Sequence, residues 1–163
     1  MSKAVVYYSL EGSSARYAEL LSERLGARLI KLAPKKAYPK KGLLKYLVGG
    51  RAAAAGSKPE LLPYRFEGGL YDTVVLVTPV WASRMTPPMR TFIAENLGAL
   101  KEAKIGAVVL CKGGGPEKAL ADIKSALGRA ELAAEAILID PSFRPTDEEN
   151  REKLGGFTDS LLD

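Results

Sequence analysis

The chain has 163 residues, 47% apolar and 26% charged, a balance ordinary for a water-soluble globular protein and enough length for a substantial core. It has no histidine, which excludes histidine-based acid–base catalysis, Ser-His-Asp triads and most zinc sites, and its single cysteine, Cys111, has no partner for an internal disulfide. The net charge of +5 is concentrated: residues 31–59 hold eight basic side chains (Lys31, Lys35, Lys36, Lys40, Lys41, Lys45, Arg51 and Lys58) and no acid, while the remainder is mildly acidic.

In chain order, an apolar run from Lys3 to Tyr8 reads as a first strand. A helix follows from Ser14 to about Leu25, with Tyr17, Leu20, Leu21 and Leu25 on one face, and then a short strand over about Arg28–Leu32. The segment from about 33 to 63 breaks the alternation. Within it Gly42–Val48 reads as a short amphipathic helix and Gly49–Gly56 as loop or mobile helix. A third strand covers Thr73–Thr78, a helix Pro87–Leu97, a fourth strand Lys104–Cys111 and a helix Pro116–Leu127. A fifth strand covers Glu135–Ile139, and a last helix starts near Thr146, with Thr146 as its cap and Asp147, Glu148 and Glu149 in its first turn, ending near Leu162.

The third and fourth strands are continuous apolar runs without alternation, the mark of parallel strands covered on both faces. Five strands alternating with helices predict one doubly wound α/β domain in three layers, with a basic insertion between strands two and three. No apolar run reaches the roughly 18 residues of a membrane span. Met1-Ser2-Lys3 leads straight into a strand rather than a cleavable leader, and a reducing, cytoplasmic setting is expected.

Ligands of such sheets bind beyond the carboxyl ends of the strands, so the loops after strands one, three and four are the candidates. The first, Ser9-Leu10-Glu11-Gly12-Ser13-Ser14, is either a well-capped turn or an anion cradle of hydroxyls and helix N-terminal N–H groups. The second, Thr78-Pro79-Val80-Trp81-Ala82-Ser83-Arg84-Met85-Thr86-Pro87-Pro88, carries the only tryptophan, which either fills core or offers a flat face to a planar ring. The third, Cys111-Lys112-Gly113-Gly114-Gly115-Pro116, is either a flexible turn or a place for close backbone approach.

Taken together, the loop Ser9–Ser14 opening a helix at Ala15-Arg16-Tyr17-Ala18, and the run Tyr71–Trp81 followed by Pro87, Pro88 and Phe92, resemble the flavodoxin-like FMN-binding proteins over nearly the whole chain. The resemblance implies the strand order 2-1-3-4-5 and bound FMN. Ser9, Leu10, Glu11 (through its backbone), Gly12, Ser13 and Ser14 would surround the phosphate. Pro79, Val80, Trp81, Ala82 and Ser83 would line the ring, and Cys111, Gly113, Gly114 and Gly115 would meet its pyrimidine edge. Two departures stand out: Glu11 and Ser13 occupy positions where Thr and Asn are frequent, and the third loop has no aromatic for the second ring face.

Other uses of the architecture fail locally. A receiver domain needs an Asp ending strand three, where this chain has Thr78-Pro79; a cysteine phosphatase needs Arg six residues after its Cys, where Glu117 stands; and G-x-G-x-x-G is missing after strand one. The expected function is electron transfer through bound flavin to a redox partner protein or small-molecule acceptor, with no catalytic side chain and no metal. One alternative is an NAD(P)H-dependent FMN reductase or quinone oxidoreductase. The other is a cofactor-free binding or assembly module using the basic insertion, as a dimer or on an acidic protein, nucleic acid or anionic membrane. Only Tyr38 and Tyr46 interleave the lysines there, which argues against nucleic acid.

Overall fold

The computed structural model describes residues 2–163. The elements are β1 (Lys3–Tyr7), α1 (Ser13–Leu25), β2 (Arg28–Lys31), α2 (Gly42–Leu44), a π-helical turn (Lys45–Gly50), α3 (Arg51–Ala54), β3 (Thr73–Trp81), β4 (Arg84–Met85), α4 (Pro87–Glu95), α5 (Leu97–Glu102), β5 (Lys104–Cys111), α6 (Pro116–Leu127), β6 (Ala134–Ile139) and α7 (Asp147–Leu162). Five strands lie parallel in the spatial order β2-β1-β3-β5-β6, which is the order 2-1-3-4-5 when the parallel strands alone are counted. β4 is an addition to the expected five, pairing antiparallel with the end of β3.

The period-2 alternation of strand side chains divides the core in two. Ala4, Val6, Val74, Leu76, Ile105, Ala107 and Val109 face α4, α5 and α6, meeting Met89, Phe92, Ile93, Leu100, Leu120, Ile123 and Leu127. Val5, Tyr7, Val75, Val77, Val108 and Leu110 face α1 and α7, meeting Tyr17, Ala18, Leu21, Leu154, Phe157 and Leu161. Because β3 and β5 are buried on both faces, their sequences show no alternation, and helix layers cover both sides.

Three features differ from the sequence reading, each for a local reason. β3 runs on past Thr78 to Trp81, because Val80 and Trp81 pair with Met85 and Arg84 in a hairpin. The helix after it breaks at Asn96, whose side-chain amide donates to the Phe92 carbonyl (2.9 Å) and to the Tyr64 hydroxyl (2.9 Å), so α5 starts anew. Thr146 precedes α7 but does not cap it through its side chain; its hydroxyl donates to the Ile139 carbonyl at 2.7 Å. Of the two readings of Gly49–Gly56, loop or helix, the structure shows helix, through Ala54, with Gly56 at φ +67° just beyond its end. The base of the insertion is closed by a bridge between Pro34 and Leu61 and by backbone bonds Lys35 N–H to Glu60 (2.9 Å) and Leu62 N–H to Ala33 (2.8 Å).

Asn150, fully buried, fixes α7 to the sheet. Its amide donates to the Ile139 carbonyl (2.7 Å) and the Tyr17 hydroxyl (3.1 Å), and its carbonyl accepts from Ile139 N–H (3.2 Å). Asn150→Ala strands those groups in a dry layer and is expected to cost about 2–4 kcal/mol. Urea unfolding followed by far-UV circular dichroism measures it.

Candidate functional site

A cavity of about 190 Å³ opens at the carboxyl edge of the sheet, between the segments that follow β1, β3, β5 and β6 and the helical insertion. Its lining comes from Ser9, Leu10, Glu11, Ser13 and Ser14; from Pro79, Val80, Trp81 and Ala82; from Leu110, Lys112 and Asp140; and from Lys45, Tyr46 and Gly50 of the insertion.

One end of this cavity is built for negative charge. Gly12 takes φ +110°, a left-handed conformation that favours glycine, and turns the chain into α1. Its N–H is spent on Ser9 Oγ at 2.9 Å. No side chain caps α1, and the helical ladder begins with Arg16 N–H to the Gly12 carbonyl at 3.1 Å. The N–H groups of Ser13, Ser14 and Ala15 therefore have no partner among the described residues, and the positive end of the helix dipole faces the cavity.

Two acids and two lysines surround that end. Ser13 Oγ donates to Asp140 Oδ1 at 3.0 Å, and the same oxygen accepts from Ser142 N–H (2.8 Å) and Ser142 Oγ (2.7 Å). Burial alone would raise the Asp140 carboxyl; the Ser142 and Ser13 hydrogen bonds and the Lys112 charge outweigh it and hold it below the usual carboxylate range. Glu11 is not left unpaired: its carboxylate is shared by Lys45 of the insertion and by Lys112 at 3.4 Å. The insertion is thus tied by an ion pair to the loop it overhangs.

The opposite wall is apolar and aromatic. The Trp81 ring meets Tyr8 and Tyr38 edge-to-face, with centroids 5.7 and 5.3 Å away. Gly49 packs against it so closely that a Cβ there would lie 3.2 Å from Trp81 Cζ3. Trp81 is set by the hairpin turn Ala82-Ser83, whose φ values of +51° and +61° are strained for side chains other than glycine. Two contacts hold the strained turn. Gly115, with φ +93°, lies flush against Ser83, and a Cβ on it would fall 2.1 Å from Ser83 Oγ. Asp122 of α6 accepts from Arg84 Nη2 (3.0 Å), from Met85 N–H (3.2 Å) and from Arg90 Nη2. Arg84 Nη1 also donates to the Ala54 carbonyl at 3.0 Å, so the same clamp secures the end of the insertion.

Of the fifteen residues expected from sequence, the structure brings Ser9, Leu10, Glu11, Ser13, Ser14, Pro79, Val80, Trp81 and Ala82 to one cavity. Gly12 and Ser83 are turn residues outside the lining, and Gly113 and Gly114 are exposed. Cys111 is buried, and burial raises its thiol pKa, the opposite of an activated nucleophile. In place of the glycines, Lys112 reaches the cavity, along with Leu110. Lys112 lay inside the loop singled out, and Asp140 directly follows the last strand, so the carboxyl-edge rule applied to every strand would have found both. Lys45, Tyr46 and Gly50 had no signal beyond the basic character of their segment.

The parallel sheet order, two helix layers and a cavity at the carboxyl edge define the flavodoxin-like fold. Neither a protein-family model nor a curated protein sequence matches the chain. Solved structures do. An FMN complex of a flavoprotein from Lactobacillus acidophilus is similar at 14% identity over 92% of this chain and 98% of that one, with a TM-score of 0.71. A flavodoxin from Streptococcus pneumoniae is similar at 15% identity over 99% and 98%, with a TM-score of 0.58. An oxidised flavodoxin from Bacillus cereus is similar at 11% over 99% and 97%, with a TM-score of 0.56. At these identities the likeness is one of fold.

The Asp122 clamp makes stability depend on pH with a defined sign. Burial pushes the carboxyl up, but the Arg90 and Arg84 guanidiniums and the Met85 amide reverse this, so its folded pKa lies below the unfolded value of about 4. Its contribution is full above that value and is lost as pH falls through the folded pKa. Asp122→Asn is expected to cost about 3 kcal/mol at neutral pH, a deficit that shrinks below pH of about 4. Urea melts of both proteins across that range test it.

Proposed function

We propose that this protein binds FMN in the carboxyl-edge cavity and serves electron transfer through it. The observation that carries the reading is one cavity joining an uncapped helix N-terminus to an apolar, aromatic wall, because FMN joins a phosphate dianion to a flat ring system. The residues suit the two parts. The N–H groups of Ser13, Ser14 and Ala15 and the hydroxyls of Ser9 and Ser14 are free to donate to phosphate oxygens, while the Ser13 hydroxyl is held by Asp140. Leu10, Pro79, Val80, Trp81 and Ala82 offer the apolar surface that a ring needs and exclude water from it.

FMN, when bound, supplies the redox chemistry, and the surrounding protein contributes binding, orientation and electrostatic tuning. None of this needs a side-chain acid or base, in keeping with a chain that has no histidine. That the similar Lactobacillus flavoprotein was solved with FMN supports the same cofactor here.

The electrostatics assign further roles. Without a ligand, Lys45 and Lys112 balance Glu11 and Asp140. A phosphate brings extra negative charge, and Lys45 and Lys112 are the cations in reach of it. Glu11 competes with the phosphate for both, so it weakens binding while holding the insertion in place. Asp140 stays committed to Ser142 and Ser13.

Titration with FMN, followed by quenching of the Trp81 fluorescence and by the flavin absorbance band, tests the reading. A saturable complex is expected. Lys45→Ala and Lys112→Ala should each weaken it about tenfold, and Glu11→Gln should tighten it severalfold. The absence of binding at tens of micromolar FMN would refute the reading.

A further inference from the structure

The insertion carries an exposed apolar surface, most of which does not face the cavity. Leu43, Leu44, Tyr46, Leu47 and Val48 are between 43 and 72% exposed, five large apolar side chains within six residues. Leu43 and Leu47 are four apart, as are Leu44 and Val48, so together they form one broad apolar face. The inward side of the same segment is made of small residues, Gly49 against Trp81 and the buried Ala53. Clusters of this kind mark interaction sites.

Charge indicates what covers it. Residues 31–59 hold eight basic side chains and no acid. Lys36, Lys40, Lys41, Arg51 and Lys58 are exposed and make no ion pair among the described residues. Two copies meeting through this segment would bring like charges together with no acid in either segment to offset them. A broad apolar face framed by unpaired lysines suits a medium that takes up the face and supplies negative charge. An anionic bilayer surface does both. No helix among the described residues is long and apolar enough to cross a membrane, so such contact is interfacial.

We propose that the insertion, about residues 36–58, seats this protein on anionic lipid bilayers. Leu43, Leu44, Tyr46, Leu47 and Val48 enter the headgroup–acyl boundary while Lys36, Lys40, Lys41 and Arg51 meet lipid phosphates. The seat is rigidly joined to the fold by the Pro34–Leu61 bridge, the Arg84 bond to the Ala54 carbonyl and the Lys45–Glu11 ion pair. Since Lys45, Tyr46 and Gly50 also line the cavity, seating brings the cavity to the lipid surface.

Cosedimentation of the full chain with vesicles tests this independently of any cofactor. Vesicles of phosphatidylcholine alone are compared with equimolar phosphatidylcholine and phosphatidylglycerol. Binding to the anionic vesicles is expected to be at least about tenfold stronger and to weaken with salt. Leu43→Ser/Leu47→Ser and Lys40→Glu/Lys41→Glu should each lose at least about tenfold, with thermal melts unchanged because these side chains are exposed. Several outcomes overturn the proposal: no binding to anionic vesicles, equal binding by the leucine variant (simple polyelectrolyte attraction), or a lipid-free dimer in light scattering that the leucine variant dissolves.

Discussion

The double burial of β3 and β5 is the constraint on which the rest of the molecule depends. From Val74 to Val77 and from Ile105 to Leu110 every side chain is buried, alternating between two cores. A strand with two dry faces requires a helix layer on each, and its ladder uses its backbone polar groups. Polar chemistry is thereby confined to the strand ends. The Ser9–Ser14 loop, the Ala82-Ser83 turn, Lys112 and Asp140 all sit at the same carboxyl edge, because parallel strands put all their exits on one side.

At that edge the structure balances opposing charges around an apolar hollow. The uncapped end of α1 invites an anion, and two acids stand near it. Asp140 is satisfied by Ser13 and Ser142, whereas Glu11 is held by lysines from two other segments. Glu11 therefore occupies the cationic groups that the proposed reading assigns to a phosphate. The same lysine, Lys45, ties the insertion to Glu11, so on the proposed reading ligand binding and the position of the insertion are coupled through one side chain.

The fold was legible because its signals are local and repeated: continuous apolar strands, helical periodicity and Pro or Gly at helix ends each name an element. That the Ser9–Ser14 loop and Trp81 share one cavity was legible through the rule that ligand sites gather at strand ends. The β3–β4 hairpin was not, because Ala82 and Ser83 lack the Asn-Gly signature of such turns and take their strained backbone only under the Asp122 clamp and the Gly115 contact. The break at Asn96 and the diversion of Thr146 were hidden for a related reason. Each depends on a partner distant in sequence or on a carbonyl that a cap pattern does not reveal. Lys45 was out of reach because its role comes from the long insertion folding back across Glu11.

The central claim is that the end of α1, with Lys45 and Lys112, is a phosphate site attached to a ring site. Calorimetric titration with FMN and with riboflavin, the same ring system without the phosphate, tests it most directly. FMN binding at least about tenfold tighter than riboflavin is the predicted result. Equal affinities would contradict it, since the uncapped helix end and its lysines would then contribute nothing to recognition.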